Sequence, residues 1–161
     1  MSDDVQCQID ALGRRVQALE DELAIQRVIL SYGFAVDSGD ADWTAELFAN
    51  DAVYDIDVLT MHGRDDVRRM VLGERHQALI PNCAHTIGPI SVSLDGDHAS
   101  AIGYSRLYLR KSDEMELWRR SFNRWELERR DHRWQITRRT TRVLGHDEAS
   151  ELFKRGSGKT S

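Results

Sequence analysis

The chain has 161 residues, of which 40% are apolar and 30% charged, and its formal net charge is −5. This size and composition fit one globular domain with a sizeable core. The negative charge argues against nucleic-acid binding, and the lack of an apolar run of ~18 residues argues against a membrane protein.

Two features predict where the protein works. Residues 3 and 4 are acidic, and the start of the chain lacks the apolar segment of a signal peptide. Cys7 and Cys83 are too few for a disulfide framework. We therefore expect a reducing cytoplasm.

The chain begins with a heptad-like pattern over residues 1–23. Apolar residues recur at alternating spacings of 4 and 3, which is the a/d pattern of an amphipathic helix: Val5, Ile9, Leu12, Val16, Leu19 and Leu23. Gly13 argues against a helix here. The pattern is short for a coiled coil, so the extension is expected to pack either on its own domain or on a second subunit.

A second apolar set predicts a helix with one buried face: Ile25, Val28, Ile29, Tyr32 and Val36. Tyr32 lies on that face, so its hydroxyl should point inward and need a partner. Ser38 and Gly39 end this helix. Asp40 is then expected to cap a short helix that carries Trp43, Leu47 and Phe48.

The remainder changes from mixed to β character. Residues 52–58 alternate as a strand, and a helix with Val67, Met70, Val71 and Leu79 on its inner side runs up to Pro81. From residue 85 onward, alternating segments and short turns predict an antiparallel meander, with strands near 90–94, 99–109, 117–128 and 134–143. We predict an α+β fold in which three to four N-terminal helices cover a curved sheet and enclose a cone. The domain should span residues 1–150, followed by a flexible tail over 151–161.

Residues 24–54 carry a recognisable succession of motifs: Tyr32-x-x-x-x-Asp37, Gly39-Asp40, an aromatic at Trp43, Leu47-Phe48 and Asp51-Ala52-Val53-Tyr54. In this the chain resembles the SnoaL-like branch of the nuclear transport factor 2-like superfamily, over roughly residues 19–144. The resemblance implies a cone-shaped domain that holds a small molecule.

The functional pattern is similar to that of hexachlorocyclohexane dehydrochlorinase, scytalone dehydratase and bile acid 7α-dehydratase. The resemblance implies a catalytic Asp37–His85 dyad, His85 standing in the Cys-x-His motif that begins at Cys83. It also implies catalytic roles for Arg139, five residues after Trp134, and for Tyr32. The same likeness makes Cys83 a pocket wall, and the other expected pocket residues are Tyr54, Trp43 and Phe34.

The chain departs from those enzymes at two positions. Tyr32 stands where the dehydrochlorinase has Lys, although the bile acid enzyme has Tyr there. This departure weakens dehydrochlorination specifically and leaves a lyase interpretation intact. An additional Asp on a middle strand of the bile acid enzyme has no match near Tyr104 and Ser105.

The residue types suit an elimination. The unperturbed pKa of His, ~6.5, fits a general base at neutral pH, and Asp37 would orient the imidazole. Tyr32 could polarise a carbonyl or donate to a leaving hydroxyl, and Arg139 could hold a leaving group or a carboxylate. Strict alternation places Arg139 on the face opposite Trp134, so it points outward unless a β-bulge intervenes. Tyr54 and Trp43 could also be plain core residues.

Other chemistries are not expected. The six histidines form no i, i+4 pair and no Cys-x-x-Cys exists, which predicts no metal site. No glycine-rich phosphate loop is present, so we expect no nucleotide cofactor. Cys83 could act as a thiolate, since it shares a strand face with His85, but the resemblance favours the pocket wall.

Three function classes stay open. The first is a cofactor-independent lyase or isomerase acting on a small cyclic, polyketide-like or steroid-like molecule. The second is a non-catalytic binding module, and the third is a structural small subunit of a ring-hydroxylating dioxygenase. An inward dyad in hydrogen-bond contact would favour the first. Because the heptads and the aromatic third strand of the meander need cover, we also expect a homodimer or homotrimer.

Overall fold

The structure, a computed structural model, describes residues 3–156, with side-chain surroundings up to residue 152. Its helices are α1 (Asp3–Asp37), α2 (Ala41–Glu46), α3 (Arg64–Leu72), α4 (Glu74–Gln77) and α5 (Asp147–Gly156). Its strands are β1 (Phe48–Ile56), β2 (Leu59–His62), β3 (Cys83–Asp95), β4 (His98–Lys111), β5 (Glu114–Arg130) and β6 (Arg133–Val143).

One sheet contains all six strands in the order β2-β1-β6-β5-β4-β3. The β1–β6 pair is parallel and the other pairs are antiparallel. Register shifts interrupt the β1–β6, β3–β4, β4–β5 and β5–β6 pairs, and such bulges bend a sheet and increase its twist. The curved sheet packed against helices confirms the predicted α+β architecture.

Several element boundaries differ from the sequence prediction. Phe48 starts β1 instead of lying on α2, and β2 was not predicted. The backbone is extended at Gly73, which ends α3 before Leu79 is reached. Residues 151–156 of the expected tail belong to α5, and residues 157–161 lie outside the described part of the chain.

The core lies between the inner face of α1 and the concave face of the sheet. Ile25 and Ile29 from the helix meet Phe48, Trp125 and Ile136 from the strands, and all five are fully buried. Burying side chains of this size contributes roughly 1.5–3 kcal/mol each. The C-terminal half of α1 is therefore held tightly on the sheet, which positions its last residue, Asp37.

A partly buried ion pair fixes α1 to the sheet at the point where the buried half of this helix begins. Arg129 donates two hydrogen bonds to Asp21, both of 2.7 Å, and the Trp134 indole donates a third, of 3.2 Å. These hydrogen bonds, the Arg129 bonds first among them, hold the pKa of Asp21 below its usual value.

We expect Asp21→Asn to lower the free energy of unfolding by about 2 kcal/mol, because it removes charge-assisted hydrogen bonds. Since the pKa of Asp21 is lowered on folding, this contribution is present above the unfolded carboxyl pKa, near 3.8, and is lost as the pH falls through the folded value. Urea titration of both proteins at pH 7 measures the change. Asp10→Asn, at an exposed position of the same helix, is the control and should have little effect.

Of the helices that the structure describes, none has a stretch long and apolar enough to span a bilayer.

Candidate active site

Asp37 and His85 are brought together where α1 crosses β3. Asp37 is the last residue of α1 and His85 lies near the start of β3. Gly33 makes the close approach possible, since a Cβ at this position would lie 2.4 Å from the His85 carbonyl oxygen. A side chain on α1 here would push β3 away and separate the two residues.

The Asp37 carboxylate holds His85 by two hydrogen bonds. The His85 backbone N–H donates to Oδ2 at 2.6 Å, and Nδ1 lies 2.5 Å from Oδ1. With the carboxylate on Nδ1, that nitrogen carries the proton and Nε2 is the basic nitrogen. The side chains are 23% and 20% exposed, so the pair is sheltered but accessible to a small molecule.

Cys83 contacts the Asp37–His85 pair but is not suited to act as a nucleophile. Its thiol donates to Asp37 Oδ1 across 3.5 Å. Burial and the neighbouring Asp37 charge raise the pKa of Cys83 to about 11. The thiol is therefore protonated at neutral pH and weakly reactive.

Tyr32 lies one and a half turns before Asp37 and points at the sheet. Its hydroxyl is 3.3 Å from the hydroxyl of Tyr54 on β1, and its ring meets the His85 ring edge-on, with 6.4 Å between centroids. Burial, with Tyr54 next in importance, raises the pKa of Tyr32 well above its usual value. The hydroxyl thus stays neutral and able to donate a hydrogen bond.

A bulge turns Arg139 into the cone. Glu126 pairs with Arg138 and Leu127 with Ile136, so Thr137 is an extra residue in β6. The bulge resets the alternation, and Arg139 becomes only 3% exposed, on the same side as Trp134 and Ile136. Outward placement, which strict alternation predicts, does not occur.

The Arg139 guanidinium has no carboxylate partner among residues 3–152. Its Nε and Nη2 donate to the Asn123 amide oxygen at 3.2 and 3.0 Å. Its Cζ lies 4.1 Å from the ring centroid of Tyr32 and 4.7 Å from that of Tyr54, so both aromatic faces contact the cation. The buried Nη1 has no hydrogen-bond partner among the described residues. A donor in this state is a ready binding group for an anionic or carbonyl oxygen.

Four of the side chains described above line one cavity of about 140 Å³. His85, Tyr32, Tyr54 and Arg139 are on its wall, together with a mainly apolar set that includes Val36, Ile56, Met70, Leu107 and Trp118. The cavity thus combines a base, a neutral hydroxyl donor and a cation on an apolar background, as small-molecule sites commonly do.

Three expected pocket residues are not on the cavity wall: Cys83, which contacts Asp37, and Phe34 and Trp43. Phe34 is 70% exposed on the outer face of α1, because two residues along a helix turn a side chain by about 200° from Tyr32. Trp43 is 38% exposed and lines a surface groove with Glu20 and Arg133. None of the three residues contributes to the cavity wall.

Several residues in or behind the cavity wall were not predicted from the sequence. Asn123, fully buried on β5, orients Arg139 and also accepts from Thr141 at 2.7 Å. The Nε2 atom of His76, on α4, lies within hydrogen-bond distance, 2.8 Å, of the Val36 carbonyl oxygen. The His76 ring is next to that of His85. Arg106 and Arg119 are also on the wall. Asn123 could have been identified only from its position opposite Thr141 on β6. That position cannot be read without knowing how the two strands pair.

One cluster could hold a metal ion among the described residues. Ligand atoms of Asp37, Cys83 and His85 lie within 4.8 Å of one another. These three residues fit a soft divalent ion poorly, because the Cys83 thiol keeps its proton and Nδ1 of His85 is already hydrogen-bonded to Asp37. The expectation that the site works without a metal stays a prediction.

Comparison with solved structures places this cone among NTF2-like proteins. An NTF2-like protein with a cystatin-like fold from Novosphingobium aromaticivorans shares 35% identity, with a TM-score of 0.85 over 88% of this chain and 94% of that chain. LinA has a TM-score of 0.71 at 21% identity, over 80% of this chain and 89% of its own. A candidate scytalone dehydratase from N. aromaticivorans has a TM-score of 0.68 at 18% identity, over 79% of this chain and 86% of that chain. The latter two likenesses show the fold alone.

The family model for the SnoaL-like domain matches residues 17–140, most of the chain. The protein therefore belongs to the SnoaL-like family, as the motifs around Tyr32 and Asp37 predicted. No curated protein matches it.

Proposed function

We propose that the chain is a cofactor-independent lyase, eliminating water or a halide from a small cyclic, polyketide-like or steroid-like molecule. The observation that supports this most is the 2.5 Å contact between Asp37 and His85 Nδ1 at a cavity that also holds the unpartnered Nη1 of Arg139. An isomerase is the related outcome, if the substrate lacks a leaving group.

In this mechanism His85 is the base. Nε2 removes a proton from a carbon next to the one that bears the leaving group. The C–H electron pair becomes the new C=C bond, and the leaving group departs with the electrons of its own bond. Asp37 keeps the proton on Nδ1 and stabilises the imidazolium that forms.

Arg139 receives the departing group in this mechanism. Arg139 Nη1 is buried and free to donate, so it stabilises a halide or a developing oxyanion. The Tyr32 ring contacts both His85 and Arg139, so its hydroxyl belongs to the same part of the cavity wall as the base and this cation. A leaving hydroxyl would receive its hydrogen bond from Tyr32, and the His85 proton is available to complete the water.

The substrate is proposed to be apolar and compact. Val36, Ile56, Met70, Leu107 and Trp118 offer hydrocarbon contacts, and the enclosed volume is about 140 Å³. Trp118 is 52% exposed at the cavity, so a larger ring system could extend outward over it.

Turnover tests this proposal directly. Ring compounds with a hydroxyl or halide next to an acidic C–H would be incubated with the protein in D2O. NMR would follow alkene formation and deuterium exchange at that carbon. Exchange or alkene that disappears in Asp37→Asn supports the lyase. Compounds that bind equally to both proteins and never react would favour the binding module instead.

Tyr32→Phe separates a chemical role for this hydroxyl from a structural one. If Tyr32 donates to the leaving group, kcat falls about tenfold or more while the thermal midpoint changes little. If its hydroxyl only forms the structural hydrogen bond with Tyr54, the free energy of unfolding falls by about 0.5–1.5 kcal/mol and kcat does not change. We expect the first result. Tyr54→Phe removes the partner of the same hydrogen bond and provides the matched comparison.

We also propose that the protein is cytoplasmic and homo-oligomeric. Both of its cysteines are free thiols, Cys7 being exposed, which suits a reducing compartment. Exposed apolar side chains on β5, namely Met115, Leu117 and Trp118, and along α1 support association with further copies.

A further inference from the structure

The N-terminal half of α1 is not packed against any other described element of the chain. Between residues 3 and 20 every position is exposed except Ala11, which is half-buried. The six heptad residues Val5, Ile9, Leu12, Val16, Leu19 and Leu23 are 41–61% exposed. Eighteen residues of helix extend over about 27 Å. A single helix of this length is marginal in water without a packing partner.

The apolar stripe faces away from the domain to which α1 belongs. In the heptad that places Ile9, Val16 and Leu23 at a, and Val5, Leu12 and Leu19 at d, Asp21 falls at f. Position f lies opposite the a/d stripe. Because Asp21 is bound to Arg129 of the sheet, the stripe must point outward. The chain's own cone cannot cover it.

The residue types of the stripe select a partner. In the middle of the stripe, Ile9 and Val16 are β-branched residues at a, and Leu12 and Leu19 are leucines at d. The two end residues, Val5 at d and Leu23 at a, depart from this pattern. The central combination favours two-stranded parallel coiled coils over trimers and tetramers. We propose that residues 5–27 of two copies of this chain pair as a parallel, in-register coiled coil that joins two cones.

The flanking charges agree with that register. In a parallel pair, each g residue meets the e residue five positions later on the other helix. Arg15 then faces Glu20 of the second copy, and Glu22 faces Arg27. Both contacts are of opposite charge, and the two-fold axis doubles them. Among the side chains described, those of residues 3–152, Arg15, Glu20 and Arg27 form no ion pair of their own.

An antiparallel pair fits less well. Antiparallel helices bring g against g, and alignment of the same six apolar residues then sets Arg15 against Arg15 of the other copy. Leu30, 39% exposed, extends the stripe at position a onto the domain itself. The contact therefore continues past the heptads along the outer face of α1.

Charge reversal tests the register. Sedimentation at micromolar concentration should give a species of twice 18.5 kDa for the native chain. Arg15→Glu should raise the dimer dissociation constant about tenfold, and adding Glu20→Arg should restore it. Arg14→Glu makes the same charge change at position f and should leave it unaltered. A monomer, a trimer, or equal effects of the Arg14 and Arg15 changes would overturn the proposal.

A cross-link gives an independent readout. In a Cys7→Ser background, Leu12→Cys places one thiol at d on each helix, where equivalent Cβ atoms come near enough for a disulfide. Oxidised glutathione should convert this variant to a covalent dimer on a non-reducing gel. Arg14→Cys, at position f, should stay monomeric. Failure of Leu12→Cys to cross-link, or equal cross-linking of both variants, would contradict a parallel in-register pair.

Discussion

Replacing His85 with Ala is expected to lower kcat by roughly 10²–10⁴-fold, the usual contribution of a positioned general base. The fold should persist, because the side chain is partly exposed and the backbone N–H of residue 85 can still donate to Asp37 Oδ2. Steady-state kinetics on the substrate found in the D2O screen would measure the loss, and thermal denaturation would verify folding.

The matched control is His98→Ala. This imidazole is 71% exposed and lies 3.8 Å from Glu128, far from the cavity, so turnover should not change. Asp37→Asn should also impair turnover, since an amide cannot stabilise the imidazolium. Full activity in His85→Ala would rule out the proposed mechanism and leave a binding module.

Arg139→Met should reduce kcat by about 10²–10³-fold without lowering stability. Removing one buried donor from an anion-binding site commonly costs turnover by this amount. Stability should hold or rise, because the variant removes a buried charge that no carboxylate neutralises among the described residues. Methionine keeps the length and apolar stem of the side chain, and Asn123 keeps its bond from Thr141.

Kinetics and urea denaturation on one preparation separate the two effects. Arg138→Met is the control, because the neighbouring arginine is exposed and faces the other side of the sheet. A strongly destabilised Arg139→Met protein would show that the cation serves the core through its aromatic contacts. Unchanged turnover would remove Arg139 from the mechanism.

Local pattern was sufficient for the helix that carries Asp37, whereas the strand that carries His85 was predicted only near 90–94 and begins at Cys83. The spacing of Ile25, Ile29, Tyr32 and Val36 orients a helix whichever surface it meets, so the inward side of α1 was predictable. The cap at Asp40 was predictable as well, since its carboxylate accepts from the Trp43 backbone N–H at 2.9 Å within one turn. Phe34 could have been excluded by the same reasoning, because it lies on the opposite side of the helix from Tyr32.

The sequence by itself determined the α+β class, the heptad stripe and the residues available for proton transfer. Only the tertiary structure decided which of them meet. Arg139 faces inward because a bulge at Thr137 depends on how β5 pairs with β6, and Asn123 orients it through the same pairing. Asp37 reaches His85 because β3 approaches α1 at Gly33. These contacts join residues distant along the chain, and hydrophobic periodicity reports the face of an element without naming its neighbour.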